Sequence, residues 1–199
     1  MGGDVLRWSE YRSMPWKNGG GVTREVASGA MQAPMISAEI TDGFDWRVSV
    51  ADVDAGGSFS VFPGIDRVIT LVEGEGMVLT VDGTPHPVGP FSPFAFSGDA
   101  ATDCRLEAGA VRNVNVMTRR SRAAAQLRLI TVAVQGAEMK CAAGETLVVM
   151  ALSDGITVDG PDGRQTTLGR LDCVRHEGPA VLTLRGDGTA AGITITAVC

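Results

Sequence analysis

The chain has 199 residues, 44% of them hydrophobic and 20% charged, and 17 Lys and Arg against 23 Asp and Glu give a formal net charge of -6. This composition excludes a disordered chain, and the acidic charge argues against nucleic acid as a partner, because phosphate binding requires a basic face. No apolar run approaches the roughly 20 residues of a membrane helix, and Met1–Trp8 has no hydrophobic signal region. We therefore expect a cytoplasmic protein that binds neither nucleic acid nor membrane.

Short alternating or apolar runs, separated by Gly- and Pro-rich turns, recur along the whole chain. The predicted strands are Trp46–Ala51, Arg67–Val72, Met77–Val81, Val111–Met117, Leu127–Val134, Thr146–Leu152, Ile156–Val158, Val181–Leu184 and Ile193–Val198. Asp82-Gly83, directly after one of them, is a strong hairpin signal. The pattern predicts an all-β sandwich or barrel with few helices, and the one predicted helical stretch is Ser121–Leu127.

The basic, small-residue-rich stretch Thr118–Ala125 differs from its neighbours and divides the chain into two parts. Val81-Asp82-Gly83 in the first part is matched by Val158-Asp159-Gly160 in the second, and further glycines follow both in the same order. A repeat of this kind indicates two related units in tandem. We predict an N-terminal barrel with a ligand pocket at residues 1–120 and a smaller barrel at residues 121–199.

The four cysteines, Cys104, Cys141, Cys173 and Cys199, are widely spaced and form no C-x-x-C pair. This spacing excludes a zinc knuckle and a thioredoxin-type motif. In a reducing cytosol we expect free thiols, with Cys104 and Cys173 buried as small hydrophobic residues and Cys199 exposed.

The order of hairpins resembles the cupin barrel, a double-stranded β-helix of the jelly-roll type, and Gly64–Gly76 resembles its first motif. Metal-binding cupins normally carry a His-x-His pair and a Glu there, and a further His in the second motif. The matching stretch has Arg67 and Ile69 instead, and the only histidines, His86 and His176, lie in different halves. Because one barrel cannot assemble two histidines and a carboxylate, we expect no metal and no other cofactor. His86, between two prolines, is expected in a turn.

A group of polar residues interrupts the apolar pattern near the N-terminus. Lys17 and Asn18 precede three glycines, Gly19–Gly21. The backbone N–H groups of such a run can converge on an anion, or the run can simply be a turn between strands. The spacing excludes a phosphate-binding P-loop.

Polar residues also occupy one face of two predicted strands. Because side chains alternate along a strand, Arg47 and Ser49 share a face of the first, and Asn113 and Asn115 share a face of Val111–Met117. Asn is disfavoured in strands. The residues form either an exposed sheet face or a polar patch inside an apolar pocket, which is typical of a small-ligand site.

Five blocks, in the same order, resemble the HutD/Ves family and cover residues 6 to 122 densely. The blocks are Pro15–Glu25, Phe44–Ala51, Phe59–Arg67, Phe94–Asp99 and Asn115–Arg120. The resemblance implies a bicupin fold without the usual cupin metal ligands. It also implies a link to histidine utilisation in bacteria, with the Ves branch linked to stress responses. A regulatory protein of this kind would bind a pathway intermediate such as urocanate or N-formylglutamate.

The resemblance also supplies candidate ligand-binding residues. They are Lys17, Asn18, Glu25, Arg47, Ser49, Arg67 and Asn115. The family pattern often has Asp two residues before the matched Asn, and here that position is Asn113. If chemistry requires that acid, the chain is a poor enzyme.

Three functions are compatible with these residues. The first is a metal-free protein that binds a small-molecule carboxylate, with Arg47 and Arg67 as a clamp, because the guanidinium fork suits that group. The second is a metal-independent hydrolase or isomerase with Glu25 as general base. The third is a protein-binding module, which cupin-type edge strands also make compatible with a homodimer. In that case the arginines at 119, 120 and 122 would dock an acidic partner, although such a run more often forms a solvated linker.

Overall fold

A computed structural model describes residues 3–31 and 43–198. The regular structure of these residues consists of antiparallel β-ladders and one turn of 3₁₀ helix, Trp8–Glu10. The predicted all-β class is therefore confirmed. Within the described part of the chain, no helix is long and apolar enough to cross a membrane.

The described residues divide into two compact units. The N-terminal unit contains residues 12–124 and Val198, and the C-terminal unit contains residues 3–11 and 125–197. The predicted first barrel included residues 1–120, but residues 3–11 lie in the C-terminal unit, because Asp4–Leu6 pairs with Cys173–Glu177. Nothing local in the sequence indicates a pairing over so long a separation.

Two antiparallel sheets form the N-terminal unit. Its strands are β2 (Arg12–Pro15), β3 (Gly21–Gly29), β4 (Trp46–Val53), β5 (Gly57–Ser58), β6 (Ile65–Glu73), β7 (Met77–Val81), β8 (Thr84–Val88), β9 (Phe94–Ser97), β10 (Thr102–Leu106) and β11 (Val111–Arg119). The larger sheet has the order β2-β3-β4-β11-β6-β9 and the smaller sheet the order β5-β10-β7-β8. Buried side chains from both, including Leu71 and Leu79, form a shared core, so one face of the larger sheet points inward.

The C-terminal unit repeats this arrangement with nine strands among its described residues. They are β1 (Asp4–Leu6), β12 (Ala123–Val132), β13 (Ala137–Cys141), β14 (Thr146–Ala151), β15 (Ile156–Asp159), β16 (Gln165–Leu168), β17 (Cys173–Glu177), β18 (Ala180–Arg185) and β19 (Gly188–Ala197). The sheet orders are β1-β17-β14-β19-β12 and β13-β18-β15-β16. Residues of both sheets, among them Leu147 and Leu184, form its core.

Two local predictions are wrong. The stretch Ser121–Leu127 is not a helix: β12 begins at Ala123, and its residues alternate in exposure as strand residues do. His86 is not in a turn but in β8, paired with Leu79 of β7. Since β8 is an edge strand, the absent N–H groups of its prolines do not interrupt an inner ladder.

The described cysteines are confirmed as free thiols. Cys104, Cys141 and Cys173 are buried, and burial raises the pKa of Cys104 to about 11 and that of Cys173 to about 12. Buried thiols of this kind behave as small hydrophobic residues. Cys199 lies outside the described residues.

Candidate ligand-binding site

A cavity of about 460 Å³ opens on the inner face of the larger sheet in the N-terminal unit. This volume is typical of small-molecule sites. The described residues that line it are Met14, Pro15, Trp16, Lys17, Asn18, Thr23, Arg47, Ala51, Ser58, Phe59, Ser60, Phe62, Arg67, Ile69, Asn113 and Asn115. All belong to the N-terminal unit, so this unit alone contains the lining described here.

The sheet register places two arginines side by side at one end of the cavity. Arg47 of β4 and Arg67 of β6 both lie opposite Met117 of the central strand β11. Neighbouring strands are about 4.8 Å apart, so the two Cα atoms are separated by about 10 Å. Nη2 of Arg47 lies 3.0 Å from Sδ of Met117. The register thus brings together two cations that are 20 residues apart in sequence.

Aromatic rings surround the two guanidinium groups. Cζ of Arg67 lies 5.3 Å, 5.5 Å and 4.9 Å from the ring centroids of Phe59, Phe62 and Phe96. Cζ of Arg47 lies 4.9 Å from the centroid of Phe44 and 5.9 Å from that of Phe62. These distances are typical of cation–π contacts. The rings hold both guanidinium groups in place.

Burial and mutual repulsion make the charge on Arg67 costly. The side chain is only 7% exposed, and it has no carboxylate within salt-bridge distance among the described residues. Burial first, and then the positive charge of Arg47, lowers the pKa of Arg67 to about 10. The group remains protonated at pH 7, and an anion in the cavity would relieve this energetic cost.

The charges of the cavity lining favour an anion. Lys17 adds a third cation at an exposed position, and none of the lining residues that the structure describes is Asp or Glu. The chain as a whole has a net charge of -6, so a cavity whose described lining carries only positive charges indicates a specific preference for an anion. A carboxylate would find the paired N–H donors of two guanidinium groups here.

The lining does not suit a metal cation. Two guanidinium groups and an ammonium group repel it, and divalent metals take imidazole, thiolate or carboxylate ligands. Across the described residues, no group of three His, Cys, Asp or Glu is placed to hold a metal ion. The metal site of metal-binding cupins therefore does not fit the residues present.

Hydrogen bonds fix several polar side chains of the lining. Oδ1 of Asn115 accepts from Nε and Nη2 of Arg67, both at 3.4 Å. Oγ1 of Thr23 accepts from Nε1 of Trp16 at 2.7 Å. Oδ1 of Asn18 accepts from the backbone N–H of Gly20 at 3.0 Å, which shapes the hairpin at the cavity mouth.

The three glycines form the turn between β2 and β3. The N–H of Gly19 donates to the carbonyl of Trp16 and the N–H of Gly20 to Asn18, while Gly21 begins β3 opposite Val53. Because two of the three N–H groups already have partners, the run is a turn and does not present three converging donors to an anion.

The rim segment around Phe62 is tied to the sheet by an exposed charge cluster. Oδ1 of Asp99 accepts from the N–H of Gly64 at 2.9 Å, and Arg120 pairs with both Asp99 and Asp66. The Gly64 N–H, Arg120 and Ser97 lower the pKa of Asp99 to about 2. Arg120 lies in the exposed turn between β11 and β12, as expected for a solvated linker, but it is ion-paired within the N-terminal unit. Arg119 and Arg122 also lie near a carboxylate, that of Asp45.

Five of the seven predicted site residues line the cavity. They are Lys17, Asn18, Arg47, Arg67 and Asn115. Ser49 lies on the same face of β4 as Arg47 but is fully buried, with Oγ at 3.5 Å from the carbonyl of Asn115. Glu25, opposite Ser49 in β3, accepts a hydrogen bond from Oγ of Ser28 at 2.9 Å and is not among the lining residues.

The residues that sequence reasoning missed are mainly the apolar walls. They include Met14, Trp16, Ala51, Phe59, Phe62 and Ile69. Trp16, Phe59 and Phe62 stand inside the blocks that carry the family resemblance, but a hydrophobic residue in a strand-rich chain is predicted as core. Nothing in the local pattern distinguishes a cavity wall from core.

Substitution of Glu25 by Gln is expected to leave the affinity of the cavity for carboxylates unchanged within about twofold, because the side chain bonds to Ser28 outside the lining. Isothermal titration calorimetry on the wild type and Glu25→Gln measures this. If Glu25→Gln binds the carboxylate more weakly, or if it loses a product-forming activity that the wild type has, Glu25 takes part in binding or catalysis and the prediction is wrong.

Comparison with solved structures identifies the fold. The fold is shared with a cupin 2 conserved barrel domain protein from Leptotrichia buccalis, at 7% identity and a TM-score of 0.58 over 98% of this chain and 96% of that chain. The likeness concerns the fold alone. The chain thus has a bicupin fold, with a cupin-type barrel in each of its two units.

The family follows from closer matches. The HutD family model matches residues 8–193. An uncharacterized 21.2 kDa protein in the hutC 3' region of Pseudomonas putida is 39% identical over 175 residues, 87% of this chain and 86% of that protein. Protein Ves of Citrobacter koseri is 37% identical over 129 residues, 62% of this chain and 63% of that protein. The structure of HutD from Pseudomonas fluorescens SBW25 (formate condition) is 34% identical, with a TM-score of 0.83 over 99% of this chain and all of that chain. The chain belongs to the HutD family.

Proposed function

We propose that this protein binds a small-molecule carboxylate of histidine utilisation in the cavity of its N-terminal unit, without a metal, and acts as a regulatory protein. The single observation that carries the proposal is the pair of neighbouring guanidinium groups, those of buried Arg67 and half-buried Arg47, in a cavity whose described lining contains no acid. Urocanate and N-formylglutamate are the candidate ligands.

The cavity supports this class of ligand in three ways. Two arginines satisfy a carboxylate by charge-assisted hydrogen bonds. The phenyl rings of Phe59 and Phe62 provide apolar contact for the rest of a small ligand. Asn115, already held by Arg67, offers its amide N–H₂ group to a ligand oxygen.

The link to histidine utilisation rests on the family and on the name of the Pseudomonas putida relative. A regulatory role accords with a site that has binding groups but no arranged nucleophile and base. Among the residues lining the cavity in the described structure there is no His, Cys, Asp or Glu, which are the side chains most often used as general bases.

The experiment is a thermal-shift and calorimetry panel with urocanate, N-formylglutamate, formate and simple dicarboxylates, with and without a chelator. A ligand at 100 times its dissociation constant adds about 2.7 kcal/mol to the free energy of unfolding, which raises the midpoint by several degrees in a chain of this size. We expect such a shift with a pathway carboxylate, unchanged by the chelator. No shift with any carboxylate, or a shift that the chelator abolishes, would overturn the proposal.

A further inference from the structure

Asn113 is a largely buried polar residue whose side chain takes part in no side-chain hydrogen bond among the described residues. It lies on the central strand β11, its residue is only 2% exposed, and its side chain lines the cavity. Its polar atoms do not belong to the fully buried groups without a partner, so they are open to the cavity, where water or a ligand can bond to them.

Neither residue paired directly with Asn113 in the sheet is polar. The residues directly opposite it are Ala51 on β4 and Leu71 on β6, and neither side chain can donate or accept a hydrogen bond. The other amide of the strand, Asn115, is held by Arg67 at 3.4 Å. Asn113 thus directs both an N–H₂ donor and a carbonyl acceptor into the cavity.

The register also gives a distance between the two kinds of group. The guanidinium of Arg67 lies at Asn115, which is two residues from Asn113 on the same strand face. Two strand residues span about 7 Å. The cavity therefore has a cationic end and a neutral hydrogen-bonding position about 7 Å from it.

We propose that the cavity selects an elongated ligand with a carboxylate at the Arg47–Arg67 end and a neutral amide-like group about 7 Å away, which Asn113 recognises. The inference rests on the proposed function, because it takes the carboxylate at the arginines as given. An amide on the ligand exchanges two hydrogen bonds with the Asn113 amide, one in each direction. A second carboxylate at this position would lose its hydration between Ala51 and Leu71 and could only accept.

The test uses two matched probes. Adipic acid monoamide carries a carboxylate and an amide whose carbons are about 6 Å apart in the extended chain, and hexanoate has the same length with a methyl group in place of the amide. Calorimetry on the wild-type protein is expected to show at least about tenfold tighter binding of the monoamide, equivalent to about 1.4 kcal/mol. A site built to hydrogen-bond a group rejects the analogue that lacks it.

The variant Asn113→Leu is expected to remove this preference, so that both probes bind with the same affinity. Asn113→Ala provides a second variant that cannot overpack the site, and it should lose the preference as well.

Thr70 supplies the control. It is 1% exposed, its Oγ1 has no hydrogen-bond partner among the residues that the structure describes, and it lies opposite Val114 on the face of β6 away from the cavity. Thr70→Val also replaces a buried hydroxyl with an apolar group, so it should raise the midpoint while the tenfold preference for the monoamide persists.

The outcomes separate the two proposals. If the wild type binds both probes equally and Asn113→Leu does not change either affinity, recognition by Asn113 is wrong while the carboxylate site stands. If neither probe nor any other carboxylate of the panel binds the wild type, the carboxylate site itself is wrong, and the role of Asn113 falls with it.

Discussion

Replacement of Arg67 by Met is expected to weaken carboxylate binding by about 100-fold and to stabilise the ligand-free protein. Truncating one partner of a desolvated charge pair costs 2–5 kcal/mol of binding, and 100-fold corresponds to about 2.7 kcal/mol. Met fills a similar length of space between the rings of Phe59 and Phe96. It carries no charge, so the cost of burying a guanidinium beside that of Arg47 disappears.

The stabilisation is measured by thermal unfolding without ligand. If the gain is about 1 kcal/mol, the midpoint rises by about 2–4 °C for a chain of this size. Calorimetry with the tightest carboxylate of the panel measures the loss of affinity. A protein that is more stable but no longer binds is the signature of a charge retained for a ligand.

Arg105→Met serves as the matched control, because Arg105 is an exposed residue of β10 in the same unit and outside the cavity lining. It changes the net charge by the same amount and should alter neither affinity nor midpoint appreciably. If the affinity of Arg67→Met for the carboxylate is unchanged, the anion does not bind at Arg67. A lower midpoint in that variant would show that the fold itself requires the guanidinium.

Much of the fold follows from local pattern. Met77–Val81 and the turn at Asp82-Gly83 are observed as predicted, because period-two alternation and a Gly-containing turn are properties of neighbouring residues. The predicted helix at Ser121–Leu127 is wrong, because helix propensity is a weak preference that the pairing of β12 outweighs. The pairing of β1 with β17 depends on tertiary contacts between distant residues.

The sequence predicts the site residues only as far as it predicts which face of a strand each side chain occupies. Alternation singled out Arg47 and Asn115 as polar residues on strand faces, and the family resemblance added Arg67 as a site residue; all three line the cavity. Alternation tells which side a residue faces but not whether another side chain covers it. Ser49 shows this limit, since it lies on the face of Arg47 and is fully buried. The aromatic rings around the guanidinium groups were not predictable. Phe62, which contacts the guanidinium groups of both Arg47 and Arg67, lies in a loop, where side-chain alternation gives no direction.

Substitution of Gly21 by Ala is expected to lower the free energy of unfolding by about 2–3 kcal/mol, which is at the upper end for added methyl groups in packed interiors. A Cβ at this position would stand 2.3 Å from the carbonyl oxygen of Asp52 and 3.3 Å from the ring of Trp16. The nearer obstacle is backbone of the paired strand β4, which cannot turn aside as a flexible side chain can. β3 would have to separate from β4 where Thr23 and Ala51 line the cavity.

The neighbouring glycines provide a graded comparison by urea denaturation. Gly19 has a φ of +71° in open space, so Gly19→Ala should cost about 1–2 kcal/mol through left-handed backbone strain alone. Gly20 has no positive φ, and its added Cβ would lie 3.4 Å from Oδ1 of Asn18, so Gly20→Ala should change stability by less than about 0.5 kcal/mol. If Gly21→Ala costs no more than Gly20→Ala, close packing of the two strands is not the reason for glycine there. If the loss of stability is instead largest for Gly21→Ala, smaller for Gly19→Ala and smallest for Gly20→Ala, each glycine of the run has a separate physical role. None of these roles requires an anion at the turn.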